Sequence, residues 1–392
     1  MEVIMKLFFN AKINTITNGI IEDGYVIIKK DKIFEVGDMG QFSIDTFEGD
    51  KYDLNGNYVL PGFIDAHCHL GLSESAIQFE GRDHNETTDP ITPHMRAIDA
   101  INPDDITFTE ALRAGVTTVA TGPGSANVIG GTFAIIKTFG KRIDDMIVKD
   151  PVAMKCAFGE NPKRVYSSKS KTPSTRMAIA AVMRETLSVA KQYLDKKEAA
   201  GDDNSKMPSY DAKCEALIPV LKKEIPIKAH AHRADDIFTA LRIAKEFDLK
   251  ITLDHVTEGH LIIDELIKEN VPCIVGPSFG HRGKFELKEK SFLTPRALSD
   301  AGIDIAITTD SPVTPLDQLP LMAGLAYKEG MNKDKALEAI TINPAKILEI
   351  DNLYGSIEKD KIADLVILNM HPFEIDSKVQ QVIVMGNTVY QK

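Results

Sequence analysis

The sequence predicts an α/β protein with a (β/α)8 TIM-type barrel and a small β-sandwich built from both chain termini, and three observations carry that reading. Eight apolar runs of strand length lie between residues 59 and 354, amphipathic stretches separate several of them, and short alternating runs broken by turns occupy both ends of the chain. Parallel strands buried on both faces read as near-continuous apolar segments. Eight of them suit a closed barrel better than the runner-up, a doubly wound open sheet.

Residues 1–58 form the first part of the sandwich, with GYVIIKKDKIFEVGD alternating around an Asp-Lys turn. Residues 59–354 form the barrel, with strands at VLPGFIDA, VTTVAT, TFAIIKT, PVAMKCAF, IPIKAHA, KITLDH, VPCIVG and IDIAITT. Helical spacing of apolar residues marks 234–247 and 260–270. Residues 196–213, KKEAAGDDNSKMPSYDAK, read as a solvated insertion loop. Residues 355–392 complete the sandwich with IADLVILNMHPFEI and KVQQVIVMGNTVYQK, both too short to fold alone.

A chain of 392 residues with 43% hydrophobic residues can bury a large core and a second, smaller unit. The net charge of -11, with no Lys/Arg block, argues against a nucleic-acid surface. No apolar run reaches membrane-spanning length and the N-terminus lacks a signal-peptide pattern, so the expectation is a cytoplasmic protein with a small-molecule substrate and no membrane partner; homo-oligomerisation is left open. The four cysteines form no CxxC pair and no disulfide framework is expected. Cys68 stands between two histidines, but alternation along a strand points it away from whatever they face.

The chemistry gathers at strand ends. His67 and His69 follow GFIDA, Lys155 lies in VAMKCAF, His230 and His232 follow IPIKA, His255 follows KITLD, and Asp310 follows IAITT. In a barrel these ends open on one face, where catalytic residues collect. Residues two apart on a strand project from one side, so His67 and His69 can reach a single ion. Any one of these positions alone is more often structural than functional. Five in the same phase are hard to explain as packing, because burying so many ionisable groups without a metal or partners is costly. Ser73 and Ser278 lack a nucleophile-elbow context. GPGSANVIGG at 122–131 reads as a tight active-site loop without phosphate chemistry.

PGFIDAHCHLG, then AHAH, LDHV and TTD in order, followed by AITINPAKILEID and GSIEKDKIADLVIL, resemble the amidohydrolase superfamily over nearly the whole chain. The resemblance is to its imidazolonepropionase-related, dihydroorotase and isoaspartyl dipeptidase-like members. It implies a metal-dependent hydrolase of C–N bonds in an amide, cyclic amide or dipeptide. The implied metal ligands are His67, His69, Lys155, His230, His255 and Asp310, with Lys155 carboxylated so that its carbamate bridges two cations; an unmodified ammonium is a donor only. Glu160, in FGENPKR, is the alternative bridge, since some members use a glutamate there. Both His230 and His232 face inward on a regular strand; the alignment of AHA favours His230 as ligand and leaves His232 to a catalytic or substrate-contacting role.

The resemblance further implies two divalent metal ions, zinc first, with manganese, iron or cobalt also fitting N/O ligands. The nucleophile would be a metal-bridging hydroxide, with Asp310 as general base and then general acid. Arg82, Arg233, His281 and Arg282 follow strand ends and are candidates to hold a substrate carboxylate, as is His84. The alternatives are a mononuclear-metal deaminase, against which His232 stands where that branch usually has a glutamate, and a non-catalytic amidohydrolase-like assembly protein, against which stands the full ligand set.

Overall fold

The computed structural model describes residues 5–392, so the first four residues of the expected N-terminal segment lie outside it. β1 (Met5–Asn14), β2 (Ile20–Lys29) and β3 (Lys32–Asp38) form an antiparallel meander. β4 (Asp50–Asp53) and β5 (Tyr58–Pro61) run end to end along the free edge of β1, pairing with its first and last parts. The inward residues Phe8, Ala11, Ile13, Val26, Ile28 and Val59 make a small core of their own.

Gly62 then carries the chain out of this sheet and into a second one. A Cβ at Gly62 would lie 2.1 Å from Thr117 Oγ1, so only glycine lets the crossing pass this close to the neighbouring strand. The expected strand VLPGFIDA is thereby two strands in two sheets. β6 (Phe63–Cys68), β7 (Val116–Thr121), β8 (Ile129–Lys137), β9 (Ile147–Ala157), β10 (Ile227–Ala231), β11 (Ile251–His255), β12 (Cys273–Val275) and β13 (Ile305–Ile307) are neighbours in chain order around the barrel. The expected fold class is the observed one, with one departure: β8 runs antiparallel to both β7 and β9. The reason is chain length. Residues 122–128 are all that separate β7 from β8, too few for a parallel crossover, which takes a dozen or more.

Helices cover the connections between the parallel strands, among them Arg176–Ala200, Ala234–Glu246 and Leu293–Asp300, whereas β8 and β9 are joined by a short turn. The first of these absorbs residues 196–200 of the expected insertion loop, which therefore begins at Gly201. Helix and barrel share one large core that includes Met154, Met183, Leu187, Leu217, Leu253 and Leu298. After the barrel, β14 (Leu365–Leu368), β15 (Val379–Val384) and β16 (Asn387–Gln391) return to the first sheet, where β14 pairs antiparallel with β5. Lys137, at the end of β8, meets Asp364, just before β14, and ties the two sheets together.

β6 and β13 close the barrel without sharing a ladder among the described pairings. Buried Asp65 spans the gap. Its Oδ1 accepts from Thr308 Oγ1 (2.6 Å) and the His67 amide (3.0 Å), and its Oδ2 accepts from the Thr309 amide (3.0 Å) and Thr309 Oγ1 (2.6 Å). One carboxylate thus fixes the strand ends that carry His67 and Asp310. Among the described residues no helix is long and apolar enough to cross a membrane, and all four cysteines are buried and free.

Candidate active site

At the C-terminal mouth of the barrel the strand ends converge on a cavity of about 220 Å³ whose walls include His69, His84, His230, His232 and Asp310. Two donor groups form there. His67, His69 and Asp310 offer one set of ligand atoms within 4.8 Å of one another, and His230, His232 and His255 offer a second. The groups adjoin: the His255 ring centroid is 5.1 Å from that of His67 and 4.4 Å from that of His230. Both histidines of the AHAH run are in one group.

Second contacts orient the rings. His69 Nδ1 lies 2.7 Å from the Gly122 carbonyl and His255 Nδ1 2.7 Å from the Gly276 carbonyl. A carbonyl only accepts, so each Nδ1 carries the proton and each Nε2 keeps its lone pair for a ligand. His232 Nδ1 is 2.7 Å from Thr257 Oγ1. His67 Nδ1 lies 3.0 Å from Asp254 Oδ2, off the line of a directed hydrogen bond, while its buried Nε2 has no hydrogen-bond partner among the described residues. That Nε2 is 3.3 Å from Asp310 Oδ1, and His69 Nε2 is 3.2 Å from the same oxygen.

Electrostatics point the same way. Burial first, and neighbouring cations and imidazoles second, push His230 and His232 well below the ordinary histidine range and His255 down to about 3. His67 moves in the same direction, for burial and the charge of Lys155. These are neutral imidazoles, the form a metal ion requires. His255 and Asp310 both adopt positive φ, +74° and +52°. Non-glycine residues take such angles chiefly where the surrounding structure enforces them, and active sites are where they cluster. Neutral, orphaned imidazole nitrogens facing a carboxylate are a donor set that fits divalent metal ions.

Below the two groups lies a buried charge cluster. Asp254 Oδ2 pairs with Lys155 Nζ and Asp254 Oδ1 with Lys228 Nζ, both at 2.9 Å. Burial disfavours the Asp254 anion, yet Lys228 and Lys155 hold it well below the ordinary range. Lys228, two positions before His230, shares its inward face by strand alternation, but Asp254 is not legible as a site residue in the sequence. Asp254 precedes His255, and a regular strand would send neighbours to opposite faces; the positive φ at His255 brings both to the interior.

Glu160 opens the helix Glu160–Ser167, where its amide donates to Glu286 Oε2 at 3.0 Å, and it belongs to neither donor group. Glu286 is nearly inaccessible, pairs with Lys284 at 2.5 Å, and stands 3.9 and 3.8 Å from Nε2 of His230 and His232. In KFELK it reads as a solvated loop charge, so no sequence signal marks it. Arg82, His281 and Arg282 are exposed and do not line the cavity. Arg233 forks onto Asp235 at 2.9 Å and lies over Phe285, also outside the cavity walls. The loop after β12 turns Lys284 and Lys290 inward in place of His281 and Arg282. His84 does line the cavity, with Gly124 and Ser125 of the glycine-rich loop.

The chain is similar to the crystal structure of an amidohydrolase from Thermotoga maritima MSB8, 41% identical, with a TM-score of 0.95 over 99% of this chain and 100% of that one. It is 28% identical over 372 residues to amidohydrolase tasK of Hapsidospora irregularis, covering 86% of this chain but only 37% of that protein's length. It is 24% identical to an imidazolonepropionase of Acinetobacter baumannii, over 94% of each. The family model described as the amidohydrolase family matches residues 58–389. With that match spanning the barrel and both donor groups, the chain belongs to the amidohydrolase family, hydrolases that act on carbon–nitrogen bonds.

Proposed function

We propose that this chain hydrolyses a small amide, cyclic amide or dipeptide, with two divalent metal ions held by the two donor groups and Asp310 as the acid–base residue. The observation that carries the proposal is the pair of adjoining donor sets, five buried imidazoles and one carboxylate, at the floor of a small cavity. Bound there, such ions would polarise a carbonyl and acidify water. Asp310, on the cavity side of its group, is placed to take the proton of the attacking water and return it to the departing nitrogen. The contacts of His69, His255 and His232 with Gly122, Gly276 and Thr257 support the ring orientations this needs.

Lys155 is the proposed bridging residue, as a carbamate. Its charge acts on His67, His230 and His255 alike, which supports a position between the two groups. In that form Asp254 would keep Lys228 as its counter-ion. His232 is the next acid–base candidate after Asp310. Similarity to a protein named imidazolonepropionase supports a cyclic amide within the substrate range.

The test compares Asp310→Asn and His67→Ala on a panel of N-acyl amino acids, dipeptides and cyclic amides, reading activity per bound metal. Asp310→Asn should keep most of its metal and lose turnover by roughly 10²–10⁴-fold, the usual worth of proton transfer. His67→Ala should lose metal and activity together. A fully loaded Asp310→Asn protein turning over near the wild-type rate would refute the role given to the aspartate.

A further inference from the structure

Four lysines are buried among the described residues: Lys137, Lys155, Lys228 and Lys290. Lys137 has Asp364, and Lys155 and Lys228 share Asp254. Lys290, 7% exposed, pairs with no carboxylate among the described residues; its Nζ makes only a long contact, 3.4 Å, with the His281 carbonyl. Asp310 acts on it favourably from the same cavity but without contact, and the neighbouring cations act against it. Lys284 is already neutralised by Glu286, and Arg282 adds a second positive charge while donating to the Lys290 carbonyl at 3.1 Å. A buried ammonium without a counter-ion is costly, and a methionine would fill the same space without that penalty.

The side chain lines the same cavity as His69, His230 and Asp310. Pro277, Leu287, Pro312 and Val313 line it too, together with Lys284, already paired, and the neutral polar Asn85, Ser125 and Asn161. At about 220 Å³ the cavity is smaller than a typical ligand site, so it admits only a small molecule. A cation without a carboxylate in contact, in the same cavity as the residues that would act on a carbonyl, calls for a ligand with one negative charge.

We propose that Lys290 is a specificity-determining residue that binds the carboxylate of the substrate, so that the substrates are small amides carrying a free carboxylate, such as N-acyl amino acids. This rests on the hydrolase reading of the same site. The carboxylate sits on Lys290 while the amide carbonyl lies on the side of Asp310, so the substrate itself supplies the counter-ion of Lys290.

The experiment measures binding of N-acetylglycine and of its neutral amide, N-acetylglycinamide, to the metal-loaded protein by calorimetry, with Asp310→Asn as the common background that prevents turnover. The acid should bind at least tenfold tighter than the amide with Lys290 in place. Lys290→Met should reduce that ratio below threefold, and Lys290→Arg should retain it. Lys290→Met should also melt no lower than the wild type, because an unpaired buried charge has been removed; a purely structural lysine would lower the melting temperature, and a variant that fails to fold would overturn the assignment. Absence of any preference with Lys290 in place overturns it as well. So does a preference that survives in Lys290→Met, which would place the carboxylate on the metal ions. The ratio is read without turnover, so a protein that prefers the acid but hydrolyses nothing in the panel would sink the hydrolase reading and leave Lys290 as an anion site.

Discussion

Replacing Asp65 by asparagine tests whether one carboxylate closes the barrel and positions the site. The side chain is fully buried and accepts four hydrogen bonds, two on each oxygen, from Thr308, Thr309 and the His67 amide. Two large effects oppose each other in the substitution. Loss of the charge weakens bonds that are roughly twice as strong as neutral ones. It also relieves the desolvation of an anion that has no cationic partner within those contacts, a burden visible in the upward shift that burial imposes on the Asp65 carboxyl. These terms offset, and what remains is geometric. Each oxygen faces one backbone amide, so whichever way the carboxamide turns, its NH2 meets the amide of His67 or of Thr309. The threonine hydroxyls can rotate and accept, but a backbone N–H cannot. One orphaned buried donor costs about 1–3 kcal/mol, and Asp65→Leu, which orphans both, should cost about 2–6 kcal/mol. Urea unfolding followed by circular dichroism reads both values, with Thr309→Val as the partner in a double-mutant cycle. The Thr309 pair should couple to Asp65→Asn by at least about 0.5 kcal/mol. An Asp65→Asn protein within about 0.5 kcal/mol of wild type, or a leucine variant more stable than the asparagine one, would refute the reasoning.

Two further outcomes follow from the scaffold. Gly62→Ala places a Cβ 2.1 Å from Oγ1 and 2.6 Å from Cγ2 of the buried Thr117, so thermal unfolding should show overpacking of about 1–3 kcal/mol, and Thr117→Ala should recover part of it; an unchanged melt would mean the crossing strand has room to move. His371 is pushed down to about 4, by burial first and then by Lys333 and Lys12, and its Nδ1 accepts the Phe373 amide at 3.2 Å, which the protonated ring could not do. Because the folded pKa lies below the unfolded value of about 6.5, the unfolded chain takes up the proton first, so this contribution is complete above about pH 6.5 and is lost as the pH falls toward 4. The partly exposed ring limits the effect to about 1–2 kcal/mol, and His371→Gln should flatten the fall in stability between pH 7 and pH 5 relative to wild type; parallel curves would count against it.

What the residues alone determined was the set of strands and the chemistry at their ends. Eight apolar runs separated by helical spacing specify an eight-stranded barrel, because a strand buried on both faces has no polar alternation to disguise it. The HxH spacing and the phase of His230, His255 and Asp310 are visible because a side chain's face along its own strand follows from its position in the chain. That one-dimensional rule is also the limit. It does not give the direction of β8, which follows from a connection too short to cross over. It places Asp254 on the wrong face, because the backbone turns through positive φ at His255. It cannot find Asp65, whose partners Thr308 and Thr309 lie more than two hundred positions away and meet it only when the barrel closes. Loops are the extreme case: His281 and Arg282 carry the obvious charges after β12, yet Glu286 and Lys290 are the ones turned inward. Which charges of a loop face a cavity is decided by the path the backbone takes once the chain has folded. No local pattern records that, and only the tertiary structure reveals a lysine left without its counter-ion.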